Sequence, residues 1–189
     1  AHELDQRGER MLDRLASIHR RHGAYKEGLV SLVKEGREGK AQIDAMMVGF
    51  RTSPPAELAG ERVVEILDFQ SREARSSEGE VLRSLSQASS NVMQFVTEAG
   101  SRITVRPSGT EPKIKFYFSV KGEWAATEAY ASAWDSLGDR IARLGEDLGV
   151  AGHAQHRGEL AEFAENPVVV GDAERPLRGL QQATDLAGG

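Results

Sequence analysis

The chain of 189 residues contains no cysteine, so disulfides and thiolate metal sites are excluded. That usage suits a cytosolic protein. No uninterrupted run reaches the roughly 18 apolar residues that a membrane-spanning helix needs, and none is expected. The first residues, Ala1-His2-Glu3-Leu4-Asp5, are polar and acidic, unlike a signal peptide. Internal repeats are lacking too. Positive charge is in short supply: 24 Lys and Arg stand against 29 Asp and Glu, a net charge of −5. This balance argues against general nucleic-acid binding. What is present suffices for a core, with 39% hydrophobic residues in a length that fits one domain with extra segments.

The scarce positive charge is concentrated. Residues 101–121 hold Arg102, Arg106, Lys113, Lys115 and Lys121 against the single carboxylate Glu111, whereas residues 150–189 hold three arginines against six carboxylates. A basic segment in an acidic chain suits a small anionic ligand better than a polyanion. At its centre lies Arg106-Pro107-Ser108-Gly109-Thr110-Glu111-Pro112, followed by Lys113-Ile114-Lys115-Phe116-Tyr117-Phe118. These residue types fit a phosphate clamp. The Arg106 guanidinium can grip a phosphate with two parallel hydrogen bonds. Ser108 and Thr110 add hydroxyl donors, and Gly109 allows close backbone approach. The amides of Ser108, Gly109 and Thr110 are expected to form an anion-binding concavity. Pro107 and Pro112 stiffen the loop, and Lys113 and Lys115 add charge on the next strand. Without a ligand, the same residues would make only a rigid hairpin with surface charges.

The flanking pattern predicts the scaffold. A helix is expected over residues 3–22, with Leu4, Met11, Leu15, Ile18 and His22 on one face and Gly23 as the stop. Strands are expected at 25–33, 62–69, 91–97 and 102–106 and again after the loop. A helix over 38–51 places Ile43, Met46, Met47 and Phe50 on one side, and the prolines at 54 and 55 end it. Residues 70–90 read as an exposed connection in which Leu82 and Leu85 pin a short helical turn. Glu98-Ala99-Gly100-Ser101 is a hairpin turn. Ile103 and Val105 face inward, so Arg106 points away from the core. Ile114, Phe116, Phe118 and Val120 alternate inward, which leaves Lys115 and Tyr117 on the polar side. A final helix over 124–148 carries the stripe Tyr130, Trp134, Leu137, Ile141, Leu144 and Leu148. The fold class is α+β: an antiparallel sheet of about four strands with two helices packed on one face. Residues 1–23 form a connecting helix, 24–149 the domain, and 150–189 an acidic, partly disordered tail whose apolar run is Pro167-Val168-Val169-Val170.

Other candidates carry less. His19 and His22, like His153 and His156, are spaced to share a metal but lack a third ligand, so solvated residues are expected. Trp124, Tyr130 and Trp134 suit packing better than base stacking. Tyr117 is open to ligand contact. Glu78, Glu80 and Glu98 have no fixed mutual distance, and Asp139 and Asp147 read as solvated. Gly171-Asp172-Ala173-Glu174 lacks the aspartate spacing of a metal loop.

The run R-P-S-G-T-E-P-K-I-K closely resembles the C-terminal phosphate-binding loop of the α-D-phosphohexomutases. The likeness extends over about residues 24–149. It implies the TATA-box-binding-protein-like last domain of such an enzyme, with Arg106, Ser108, Gly109, Thr110, Lys113 and Lys115 holding the substrate phosphate. The family's full-length members have four domains, with a T-A-S-H-N-P-like serine loop, a D-G-D metal loop and a G-E-E-S-G-like sugar loop. None of these motifs occurs here. The resemblance therefore implies a piece of a cytoplasmic hexose-phosphate mutase, inactive by itself and without catalytic residues. Mg²⁺ belongs to the full-length enzyme, and no metal ligand is expected in this chain. The implied partners are a phosphosugar and the other domains of the same mutase, not nucleic acid or membrane. The K-I-K-F-Y-F run looks more like the phosphoglucomutase and phosphomannomutase branches, with the phosphopentomutase branch as alternative. A stand-alone phosphosugar- or anion-binding module, or a hairpin domain acting through protein contacts, are the other readings of the same residues.

Overall fold

A computed structural model describes residues 11–122 and 130–150. The elements in chain order are α1 (Met11–His22), β1 (Ala24–Val33), α2 (Gly36–Thr52), β2 (Glu57–Leu58), β3 (Glu61–Asp68), β4 (Glu73–Arg75), β5 (Val81–Ser84), β6 (Met93–Thr97), β7 (Arg102–Pro107), β8 (Lys113–Gly122) and α3 (Tyr130–Asp147). The α+β class is as expected, but the sheet is wider than about four strands. Seven strands follow the order β1-β8-β7-β6-β3-β4-β5, all antiparallel, and β2 pairs with β3 beside them.

The extra width comes from residues 70–90. Instead of an exposed connection with a helical turn, they form the β4–β5 hairpin. Its turn is closed by Ser76 N–H donating to Glu80 C=O and Gly79 N–H donating to Ser76 C=O. Leu82 and Leu85 do not share a helical face: Leu82 is exposed, while Leu85 is buried with Leu67 and Ala74 on the outer side of the sheet. Three-residue spacing reads as helix only when a run sustains it, and here the polar sequence between β3 and β6 hid two short strands.

The main core is one-sided. Val30 and Leu32, Val63 and Ile66, Met93 and Phe95, Ile103 and Val105, and Ile114, Phe116, Phe118 and Val120 meet Ile43 and Met47 of α2 and Leu137, Ile141 and Leu144 of α3. Both helices therefore lie on the same face, as the alternation predicts. Of α1, Met11, Leu15 and Ile18 are exposed. Leu4, Trp124 and the tail from residue 151 onward lie outside the described residues.

Four features seat α3. Gly28 of β1 lets the helix come close, since a Cβ there would stand 2.9 Å from Ile141 Cγ2. Lys26, on the inward side of β1, is buried; its Nζ donates to the Trp134 carbonyl at 3.1 Å and lies 5.2 Å from the Trp134 ring centroid. Burial pushes the Lys26 pKa down, and the charges of Asp135 and Asp139 oppose that shift. Arg140 pairs with Glu61 and donates through Nη1 to the Lys121 carbonyl at 3.0 Å. Glu61 also accepts from the Thr97 hydroxyl at 2.5 Å. Asp147, read as solvated, instead accepts from the Ala59 N–H at 2.6 Å and so ties the end of α3 to the β2–β3 turn.

The Arg140–Glu61 pair is mostly shielded, at 16% and 15% side-chain exposure. Removing one partner leaves the other charge uncompensated. Arg140→Ala is expected to cost about 3 kcal/mol in urea unfolding. The double variant Arg140→Met with Glu61→Leu is expected to recover most of that loss. Equal destabilisation by the single and double variants would show that α3 is held by packing instead.

Candidate functional site

The register between β7 and β8 positions the loop. Val105 pairs with Phe116 and Ile103 with Phe118, all four buried. The next position out places Arg106 opposite Lys115 on the other face. Strand alternation therefore drives both cations onto the sheet side that neither α2 nor α3 covers. Arg106 is exposed and Lys115 half-buried.

The loop's own hydrogen bonds fix its shape. Ser108 N–H donates to the Lys113 carbonyl at 2.7 Å, and Lys113 N–H to the Glu111 carbonyl at 2.8 Å. Lys34 N–H donates to the Pro112 carbonyl at 2.8 Å, tying the loop to the end of β1. Ser108 Oγ accepts from the Thr110 and Glu111 amides at 3.4 and 3.3 Å. This differs from the expected concavity. Ser108's amide is committed to a strand-end bond, and Thr110's faces the Ser108 hydroxyl. Of the three amides, only that of Gly109 is left without a partner among the described residues. The Ser108 hydroxyl organises the turn and keeps its own proton free to donate.

A cavity of about 280 Å³ opens beside the loop, lined by Arg106, Ser108, Gly109, Lys113 and Lys115, together with Pro107, Glu111 and Tyr117. Five of the six expected phosphate ligands meet there. Thr110 does not line it and is exposed. Tyr117, open to ligand contact in the sequence, does line it.

Among the described residues, this cavity holds three unpaired cations, whereas most arginines lining two other cavities are paired, Arg143 excepted. Those two are of comparable volume, about 280 and 330 Å³. There Arg140 pairs with Glu61, Arg51 with Asp68 at 3.1 Å, and Arg75 with Glu73 at 2.5 Å. Among the described residues, Arg106, Lys113 and Lys115 form no salt bridge, and Glu111, the one carboxylate in the lining, pairs with none of them. A cluster of uncompensated cations around a concave surface favours an anion.

The remaining candidates resolve as structure. His19 stacks on Trp134 at 6.0 Å between centroids, and burial holds its pKa below the usual imidazole value. Trp134 packs against the core. Glu98 pairs with Arg62 at 3.6 Å. The Glu78 carboxyl is held below the ordinary range by its own backbone amide and by the hydroxyls of Ser76 and Ser77. Among the described residues, no group of three or more His, Asp or Glu comes together to hold a metal ion. His153, His156 and residues 171–174 lie outside them.

Gly109 offers a direct test of the loop's role. Its φ is not positive, and a Cβ there would meet nothing within 4 Å. The fold therefore does not need glycine at this position. Gly109→Ala is expected to leave the unfolding midpoint within about 0.5 kcal/mol of the parent. Affinity for inorganic phosphate, followed by NMR titration, is expected to fall several-fold. Unchanged affinity would mean that the anion does not approach the loop backbone.

The sequence family described as phosphoglucomutase/phosphomannomutase, C-terminal domain, matches residues 69–135, which include the loop. A phosphoglucomutase of Staphylococcus haemolyticus is 38% identical over 117 residues, covering 62% of this chain and 21% of that protein. A phosphoglucomutase of Staphylococcus aureus is 38% identical over 121 residues, covering 64% and 22%. The chain thus spans about a fifth of the length of these relatives. The open form of the Paramecium exocytosis-sensitive phosphoprotein parafusin, a phosphoglucomutase, aligns over 84% of this chain and 24% of its own, with a TM-score of 0.39 and 16% identity. Residues 69–135 thus match the C-terminal domain of the phosphoglucomutase/phosphomannomutase family, and more than 60% of the chain is similar to phosphoglucomutases.

Proposed function

We propose that residues 24–149 are the phosphate-binding domain of a hexose-phosphate mutase, which moves a phosphoryl group between the two ends of a sugar. Residues 1–23 connect it to the rest of the enzyme, and a cytoplasmic location fits the cysteine-free composition. The observation that carries this reading is the Arg106 cavity, where three cations without carboxylate partners and the Ser108 hydroxyl converge.

The chemistry follows from what these groups offer. A guanidinium fork and two ammonium groups recognise a dianionic phosphate through charge-assisted bonds. They do not specify which end of a sugar carries it. That suits a substrate that presents either phosphate while the other reacts. Binding energy gathered on the non-reacting phosphate orients the reacting one. The transferring serine and Mg²⁺ would come from other domains. The clamp's task here is positioning. Gly23, with φ of +89°, lies between α1 and β1 and supplies a pivot for the domain to close and release.

Arg106 is expected to dominate binding. Arg106→Ala should cost about 2–4 kcal/mol in affinity for glucose 6-phosphate. Arg106→Lys keeps the charge but loses the fork, so a clear loss remains. Ser108→Ala should cost about 1 kcal/mol. In an NMR titration of the chain, the amides of residues 106–113 should shift first, and the chain should show no mutase turnover by itself. Shifts confined to distant residues would remove the clamp. A full-length enzyme whose turnover and KM survive Arg106→Ala would remove the functional role.

A further inference from the structure

We infer that the phosphate cavity continues onto the open sheet face as a shelf for the rest of the ligand, with Tyr117 beneath the sugar ring. This rests on the clamp reading and adds to it a residue that separates a phosphosugar from phosphate alone. Tyr117 follows Lys115 by two residues on the same face of β8 and lines the same cavity. An oxyanion fills the space of only a few waters, each about 30 Å³ of liquid. A cavity of about 280 Å³ therefore leaves room beyond a phosphate held by Arg106.

The surroundings of Tyr117 suit a hydroxylated ring. Its cross-strand neighbours are Leu29 on β1 and Thr104 on β7. The ring is exposed, and among the described residues its hydroxyl has no partner. Thr104 Oγ1 accepts from Gln94 Nε2 at 2.8 Å, and Gln94 Oε1 accepts from Arg102 Nη1 at 3.3 Å. This chain orients Gln94 and leaves the Thr104 proton free to donate. The shelf thus presents an exposed aromatic ring in the cavity lining, with the Thr104 hydroxyl on the neighbouring strand. A pyranose has the matching parts: C–H groups on its faces and hydroxyls around its rim. Tyr117 is the one aromatic side chain in the lining.

The test compares three probes on this chain by NMR titration: inorganic phosphate, glycerol 3-phosphate and glucose 6-phosphate. Glycerol 3-phosphate keeps the phosphate ester and lacks the ring. Glucose 6-phosphate is expected to bind about three- to tenfold tighter than glycerol 3-phosphate, the range of a single aromatic contact. Tyr117→Ala should erase that preference while leaving inorganic phosphate affinity unchanged. Tyr117→Phe should keep most of it, and Tyr117→Leu controls for loss of apolar bulk on the strand. Equal binding of the two esters by the parent chain would overturn the shelf. So would a preference that persists in Tyr117→Ala. If Arg106→Ala still abolishes phosphate binding in either case, the clamp stands without the shelf. If no probe shifts residues 106–113, the clamp fails and the shelf with it.

Discussion

The pairing of β7 with β8 is the constraint on which the site depends. Like charges placed directly opposite each other on an antiparallel pair are destabilising. Arg106 and Lys115 occupy just such a pair. The register is held by what lies one residue further in, where Val105 meets Phe116 and Ile103 meets Phe118 in the core. A slip of β8 by one residue would turn its four buried apolar side chains, Ile114, Phe116, Phe118 and Val120, to solvent. That cost, about 1.5–3 kcal/mol for each large side chain, far exceeds the repulsion of two partly solvated cations. The core thus enforces a local electrostatic conflict, and an anion between the two cations relieves it.

The helices serve the same end by staying on one side. The α3 seat combines a missing side chain at Gly28, a buried ammonium at Lys26 and the Arg140–Glu61–Thr97 network. The pair between Arg140 Nη2 and Glu61 is a charge contact rather than an aligned hydrogen bond, and Arg140 Nε has no partner. A network satisfied only in part contributes less to stability than to where the helix sits. With α2 and α3 both committed to the inner face, the outer surface of β1, β8 and β7 stays accessible to a ligand. The β4–β5 hairpin lies at the far end of the sheet and buries its own small cluster around Leu67, Ala74 and Leu85.

Much of this was legible in the sequence because strand alternation is strict near the loop. Ile103, Val105, Ile114, Phe116, Phe118 and Val120 alternate without interruption, so the outward direction of Arg106, Lys115 and Tyr117 followed from period two. The helix over 38–51 was equally plain from Ile43, Met46, Met47 and Phe50. The β4–β5 hairpin was not. Its strands are only three and four residues long, and Val81 to Ser84 are all exposed. Such short polar strands carry no periodicity. Asp147 was read as solvated because its partner is a backbone N–H 88 positions away, which no local pattern reveals. The Ser108 amide was assigned to an anion because the motif names residues, not hydrogen bonds. Its use by the Lys113 carbonyl depends on how β7 and β8 close around the turn.

That closure changes what kind of anion site the loop would make. A concavity of backbone amides would bind through fixed dipoles. Here most loop amides are spent on holding the loop, so under the proposed clamp binding falls to side-chain charge: Arg106, Lys113 and Lys115, with the Ser108 hydroxyl beside them. The two devices have different consequences. Amide dipoles favour one tightly fitted oxyanion, whereas flexible cations on a rigid frame accept a phosphate in more than one orientation. The frame is stiff, because the loop is bonded across its own base and to β1 through Lys34 and Pro112. Preorganisation then lowers the cost of holding the ligand, while the side chains retain enough freedom to follow it. The rest of the chain sharpens the effect. In a protein of net charge −5, a cavity lined by three unpaired cations is a local positive centre. Under the proposed clamp, an incoming phosphate would be drawn there by the field and repelled by the acidic remainder.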